Sequence, residues 1–333
     1  MKIALATTTV HVPRALAVYR KFNKDVRFFV AVDKKTPDAA MDFMNELPDT
    51  QICQGDKYKC SELIGWNCIQ RRAIAVLEAL KWGAETIIVW DDDNLAMNDQ
   101  YFYNFESTFL DPLQYLKAMP VSGWFDSGSL LTPQIKQRGF PVTVKSENVF
   151  EPITDAKIGV ATGLILGDAD MDAHTRVTNA PLAYSVHELA REGVLVDPKE
   201  TWTPFNTQNT AYLRELAPAM FCAPGIGRHD DIFASLITQR IMRERDLFVH
   251  VGQPFVYQQR NQHDLLKDMG EELFGMSHIL EFADVLNNMN CASGSVLQDV
   301  RSIYERLWNR VSWYPPQAVK TALAFLDDCE SVL

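Results

Sequence analysis

At 333 residues the chain is long enough to bury a full core, as one large domain or as one domain with an appendage. Its 47% hydrophobic and 23% charged residues are ordinary for a globular protein, and no run is long and apolar enough to cross a bilayer. The formal net charge of -11, with no basic stripe, counts against tight non-specific binding to nucleic acid, though not against a nucleic-acid acceptor as such.

The opening MKIALATTTVHVP holds one lysine and a short apolar run before three threonines and a proline. It lacks the apolar length and cleavage site of a signal peptide and reads as a first buried strand, which implies a cytoplasmic location. Strands are expected over residues 2–9, 26–32 (ending on Asp33) and 50–53, with a helix over 12–22 between the first two. Ser61 opens a helix whose apolar positions Ile69, Ala73, Val76, Leu77 and Leu80 recur at helical spacing, and Gly83 closes it. The continuous apolar run Thr86–Trp90 suits a strand covered on both faces. This alternation predicts an α/β fold with a doubly wound, mostly parallel sheet and flanking helices, its ligands beyond the strands' carboxyl ends.

Residues 99–227 are irregular and rich in aromatics, prolines and turns, as expected of a stretch that packs on the sheet and builds an acceptor site. A helix over 232–244 and a strand over 247–251 follow; beyond about 270 the chain reads as helical, over 271–288, 296–311 and 316–329. The expected organisation is a catalytic domain over 1–270, with a nucleotide-binding half (1–98) and an acceptor half (99–270), and a helical C-terminal extension over 271–333 that serves as an appendage or a homo-oligomer contact. The six cysteines show no CxxC and no paired metal spacing, and read as free thiols of a reducing compartment.

Asp91, Asp92 and Asp93 follow the buried strand directly. Carboxylates this close raise one another's pKa, a cost that a divalent cation removes; hard ions such as Mg²⁺ or Mn²⁺ favour oxygen ligands. On an extended stretch Asp91 and Asp93 share one face, where an ion would bridge them to a diphosphate, while Asp92 points elsewhere. A solvated acidic turn is the competing reading. A phosphoacceptor pocket also clusters aspartates at strand ends, but belongs to a fold complete in far fewer residues. Asn67 and Arg71, four apart and so on one helix face, and Arg72 would offer donors to a diphosphate; a surface ion pair is the alternative for Arg71. Asp33 is placed to accept from a ribose or base edge, or to form a turn.

Gly227-Arg228-His229-Asp230-Asp231 precedes an amphipathic helix. One aspartate would serve as a cap; two beside Arg and His exceed that need, so Asp230 or Asp231 is expected to bind sugar hydroxyls or act as a base, with Arg228 and His229 near phosphate charge. His250, at a strand end, is a candidate third metal ligand or a structural histidine. Arg260, Asn261, His263 and Asp264 lie in a polar segment placed to close over a ligand.

Several segments, in order, resemble one family: VAVDKKTP around Asp33, Gly65-Trp66-Asn67-Cys68, VWDDDN at 89–94, Arg138-Gly139-Phe140-Pro141, GLILGDADMDAHTRV at 163–177, QNTAYLRE at 208–215, GRHDDIF at 227–233 and VGQPFVY at 251–257. The family is that of the reversibly glycosylated polypeptides, or UDP-arabinopyranose mutases, with the related STELLO-like glycosyltransferases. The resemblance implies a GT-A fold, a UDP-sugar donor and a divalent cation, Mn²⁺ or Mg²⁺, at the Asp triplet. It also draws attention to Arg138. With the residue reading above, the expected nucleotide-sugar contacts are Thr7, Asp33, Asn67, Arg71, Arg72, Asp92 and Arg228, the metal ligands Asp91, Asp93 and His250, and the catalytic residues Asp230, Asp231 and Arg138. In the mutases the arginine matching Arg138 becomes glycosylated; in a transferase it would clamp the donor phosphates. Val142-Thr143 after the proline departs from the mutase segment, and the RGFP and QNT segments lean toward the STELLO-like side. The leading expectation is therefore a glycosyltransferase acting on a sugar, protein, glycan or modified-nucleobase acceptor. A UDP-sugar mutase is the runner-up, and a non-catalytic nucleotide-sugar-binding subunit the third reading.

Overall fold

A computed structural model describes residues 1–110, 114–179, 181–260 and 264–333. Asn261 and His263, expected in the polar closing segment, lie outside the described residues. β1 (Ile3–Thr9), β2 (Arg27–Val32), β3 (Thr50–Cys53) and β4 (Thr86–Trp90) run parallel in the order β3-β2-β1-β4. All five residues of β4 are buried, as a strand covered on both faces requires. Beyond β4 the sheet continues through Asn209–Leu213, Lys157–Gly167, Leu247–Gln258, Val194–Val196, Tyr115–Ala118 and Phe150–Ile153. Asn209–Leu213 is antiparallel to both its neighbours, whereas Lys157–Gly167 and Leu247–Gln258 are parallel. The fold is thus mixed α/β, with a mostly parallel central sheet and flanking helices. No described helix is long and apolar enough to cross a membrane.

Two expectations about elements are corrected. Residues 99–227 do not merely pack on the sheet: they supply Lys157–Gly167 and Asn209–Leu213, two of its central strands. Lys157–Gly167 is buried at every position after the first, so its sequence shows no polar alternation to mark it as a strand. The helix expected from Ser61 to Gly83 is broken: Lys59–Ile64 ends at Gly65, a short 3₁₀ turn spans Ile69–Arg71, and the long helix is Arg72–Trp82. Gly65 and Asn67 both take positive φ, +76° and +60°, which an α-helix does not accommodate. Asn67 and Arg71 therefore do not share a helix face.

The C-terminal helices are Leu265–Asn287, Val296–Arg310 and Pro316–Val332. The first begins six residues before the expected boundary at 271, because Asp264 accepts from the amides of Leu266 and Lys267 and caps it. The last is no loose appendage. Phe325 stacks on Phe221 with ring centroids 4.5 Å apart, and Asp328 accepts from the amides of Lys59 (3.0 Å) and Cys60 (2.8 Å) at the start of Lys59–Ile64. One hydrophobic cluster runs from Ala4 to Cys329.

Candidate functional site

Beyond the carboxyl end of β4 the chain turns, the Asn94 amide donating to the Asp91 carbonyl, and the Asp91 amide donates to Gln208 of the neighbouring strand segment. This turn splays the three carboxylates toward three partners. Asp91 pairs with the Arg72 guanidinium, Asp92 accepts from the Thr9 hydroxyl, and Asp93 accepts from Gln258 Nε2 at 3.0 Å. Burial raises the Asp91 carboxyl to about 6; Arg72 works against that, and the charges of Asp93 and Asp92 add to it. Burial raises Asp92 as well, opposed by its bond from Thr9.

Asp91 and Asp93 line a cavity of about 780 Å³, together with Asn67, Arg72, Arg138, Arg228, Asp230 and Asp231. Thr7, Asp33, Arg71, Asp92 and His250 do not line it. Asp93 Oδ1 and Gln258 Oε1 are buried acceptors with no donor among the described residues. A corner holding acceptors without donors fits a hard cation with oxygen ligands. Among the described residues no three His, Cys, Asp or Glu side chains are grouped to hold an ion, so Asp91 and Asp93 would need amide or water oxygens to complete a shell.

His250 is not the third ligand. It lies within the strand Leu247–Gln258, paired with Leu195, and its ring meets Tyr115 edge-on at 5.6 Å. A Cβ on Gly193 would come within 1.9 Å of its Nε2, so the imidazole fills a slot that only glycine leaves open. Burial holds it neutral, its pKa down to about 4. Arg71 is likewise no phosphate donor: it is fully buried, donates to Ser61 Oγ (2.9 Å) and the Gln54 carbonyl (2.6 Å), and stacks on Trp66. Thr7 is buried inside β1 and its hydroxyl donates to the Thr8 carbonyl. Asp33 fastens the Trp66–Asn67 loop by accepting from the Asn67 amide at 2.6 Å, and its Oδ1 is left buried without a donor among the described residues.

Arg138 occupies the centre of a charge network. Its Nε and Nη2 donate to Asp170 at 2.9 and 3.0 Å, its Nη1 and Nη2 to Asp231 at 2.9 and 2.8 Å, and Nη1 also to the Arg228 carbonyl. A guanidinium has five N–H donors, and all five are engaged. Burial penalises the charge, but Asp170 and Asp231 outweigh it and raise the Arg138 pKa well above normal. Arg138 has neither a free donor for a phosphate nor a lone pair for attack, which corrects both roles expected of it. The same pairing engages Asp231, which also accepts from the amide of Ile232. Burial would raise Asp170, but the Arg138 charge holds it down to about 2.

Asp230 remains available. Its Oδ2 accepts from Gln70 Nε2 at 2.6 Å, and burial, with the Asp231 charge, lifts its pKa to about 7. Next to it, His229 is buried with both ring nitrogens unpartnered among the described residues and its pKa lowered to about 3 by burial, then by Arg138. Gly275 makes room for that ring: a Cβ there would lie 2.2 Å from it. Arg228 reaches Glu272 (3.2 Å) and Asp268 (3.5 Å) on the helix Leu265–Asn287 and still faces the cavity. Arg260 also lines the cavity, with a buried Nη1 that has no acceptor among the described residues.

Sequence reasoning passed over Gln70, Asp170, Thr207, Gln208 and Gln258. Asp170 sits in the quoted GDAD segment, where two carboxylates just past the end of an apolar strand were a signal; the glutamines had none, since amides carry no charge pattern. Comparison with known proteins gives no match: no protein-family model fits the chain, and no curated protein is similar to it.

Proposed function

We propose that the protein is a metal-dependent glycosyltransferase that takes a UDP-sugar donor, the diphosphate held through Mn²⁺ or Mg²⁺ at Asp91 and Asp93. The observation that carries this reading is the meeting of Asp91 and Asp93 with Arg72, Arg228, Arg260 and Asp230 in one cavity. Its volume lies in the range of small-molecule sites, roughly 300–1,000 Å³. The choice of a uridine nucleotide and a GT-A fold rests on the resemblance to the mutases and STELLO-like enzymes. A bound cation would neutralise diphosphate charge as the leaving group departs. Arg72 fixes Asp91 by its ion pair, so that carboxylate is held in place before any ligand arrives. Arg228 and Arg260 face the space where phosphate oxygens would lie. Asp230, with a pKa near neutrality, receives the proton of an acceptor hydroxyl. Arg138, braced by Asp170 and Asp231, holds the Gly227–Asp231 turn that presents Asp230. Its full engagement weighs against the mutase reading, which needs a sugar adduct on that arginine.

The test is incubation with Mn²⁺ and UDP-arabinose, UDP-glucose and UDP-galactose without acceptor. Slow UDP release that EDTA and Asp93→Asn abolish is expected. Ring-isomerised UDP-sugar would replace the transferase with a mutase; UDP binding with no turnover of any donor, alone or with acceptors, would leave a binding subunit.

A further inference from the structure

The two aspartates that open the helix Asp230–Arg243 have partners of different kinds. Asp231 is clamped by the Arg138 guanidinium, whereas Asp230 Oδ2 accepts from the neutral amide of Gln70 at 2.6 Å. Among the described residues Gln70 is the one side chain that donates to Asp230. The contact joins residues 160 positions apart, and Gln70, which is partly exposed, lines the cavity beside Asp230. Gln70 sits in the 3₁₀ turn Ile69–Arg71, and the chain is fastened on either side of it. Before it, the Asn67 amide donates to Asp33; after it, buried Arg71 donates to Ser61 Oγ and the Gln54 carbonyl. Two residues on from Gln70, Arg72 pairs with Asp91. One short turn therefore grips both acidic sites, Asp91 through Arg72 and Asp230 through Gln70.

We propose that Gln70 is the positioning residue of the base: it holds Asp230 Oδ2, so that Oδ1 meets the acceptor hydroxyl, and does so without neutralising the carboxylate. The chemistry of this role rests on the transferase reading. The hydroxyl oxygen forms the new bond to the sugar, its proton passes to Asp230 Oδ1, and UDP leaves with the electron pair of the old bond. The kind of partner decides what the carboxyl can do. Arg138 holds Asp170 down to about 2, where it takes up no proton near neutrality. An amide donor favours the anion far less than a guanidinium does, so burial and the Asp231 charge prevail and Asp230 stands at about 7. The other groups that act on Asp230 or feel its charge are Arg138, the Cys222 thiol and the Tyr314 phenol, and none of them replaces the Gln70 hydrogen bond.

The test uses two variants and one measurement on the wild type. Gln70→Glu keeps the shape of the side chain but sets a second carboxylate against Asp230, so the rise of kcat/KM with pH should move up by about one unit or more. Gln70→Leu removes the donor at similar volume; kcat should fall roughly tenfold or more, with KM for the UDP-sugar little changed and the rise again moved up. Circular dichroism checks that both fold. In the wild type, the side-chain amide signals of Gln70 in ¹H–¹⁵N spectra should shift with a midpoint near pH 7 that Asp230→Asn removes. That readout needs neither turnover nor a folded Gln70 variant. A rise left in place by both folded variants, or amide signals without that midpoint, overturns the proposal and makes the contact a structural tie. No turnover of any UDP-sugar beside a normal amide titration instead sinks the transferase reading, and leaves the hold of Gln70 on Asp230 standing.

Discussion

Arg138 and Asp230 sit in one turn-bound network but carry opposite consequences for mutation. Arg138 is a buried cation whose removal leaves Asp170 and Asp231 facing each other without compensation. Breaking such a buried pair from one side costs about 3–5 kcal/mol. Arg138→Ala is therefore expected to lower the unfolding free energy obtained from a urea titration by that much, and Arg138→Lys to recover little of it, because an ammonium cannot reproduce two bidentate contacts. Intact-protein mass spectrometry after incubation with UDP-sugar should show no adduct on the wild type; an added pentose or hexose on Arg138 would overturn the structural assignment. Asp230 is the reverse case. As a base it must be deprotonated, so kcat/KM is expected to rise with pH through about 7 and level off above it. Asp230→Asn should lower kcat about 10²- to 10⁴-fold and remove that limb. A limb that persists in the variant would assign the proton transfer elsewhere. Asp230 stood out by type, beside a second aspartate, whereas Arg138 entered only through the resemblance, and its structural role was hidden because its partners, Asp170 and Asp231, lie 32 and 93 residues away.

Elements were legible where local chemistry decided them. β4 and its acidic turn are plain in the sequence because the apolar run Ile87–Trp90 must be buried and three consecutive carboxylates mark its end. The break at Gly65–Cys68 was not, since Ile69, Ala73, Val76, Leu77 and Leu80 keep helical spacing across its far side and the left-handed Asn67 leaves no periodic trace. The fastening of the last helix was invisible for another reason: Asp328 caps Lys59–Ile64 across 268 or more residues. The carboxylate gives the free amides at that helix start a charge-assisted partner. Asp328→Asn is expected to cost about 1–3 kcal/mol in denaturant unfolding. Because Phe325 packs on Phe221 in the wall of the cavity, Phe325→Ala should destabilise the fold by about 3–5 kcal/mol in denaturant unfolding. A C-terminal helix acting only as an appendage would leave global unfolding unchanged.

At the scale of the whole molecule, a chain of net charge -11 buries Asp230 beside Asp231 and two histidines, His229 and His250, and that burial has a signature in stability against pH. Asp230 has its folded pKa raised to about 7 from an ordinary value near 4, so between those limits the folded state binds a proton that the unfolded state has lost. Its contribution is therefore most favourable at low pH, declines as pH rises through that window, and is fully unfavourable above about 7. Burial of neutral His229 and His250, held down to about 3 and about 4, has the opposite sign: the unfolded state binds their protons below about 6.5, so stability drops there as pH falls. The two trends oppose one another, and the wild-type curve is expected to be shallow. The difference between wild type and Asp230→Asn cancels the histidines and isolates the carboxyl. The variant should melt close to the wild type at pH 5, where Asp230 is protonated, and clearly above it at pH 8, where the wild type holds a buried charge beside Asp231. Melting curves at four or five pH values suffice. A variant less stable than the wild type at pH 8 would mean that Asp230 is already compensated by a cation, and would place that charge at the second acidic site rather than at Asp91 and Asp93.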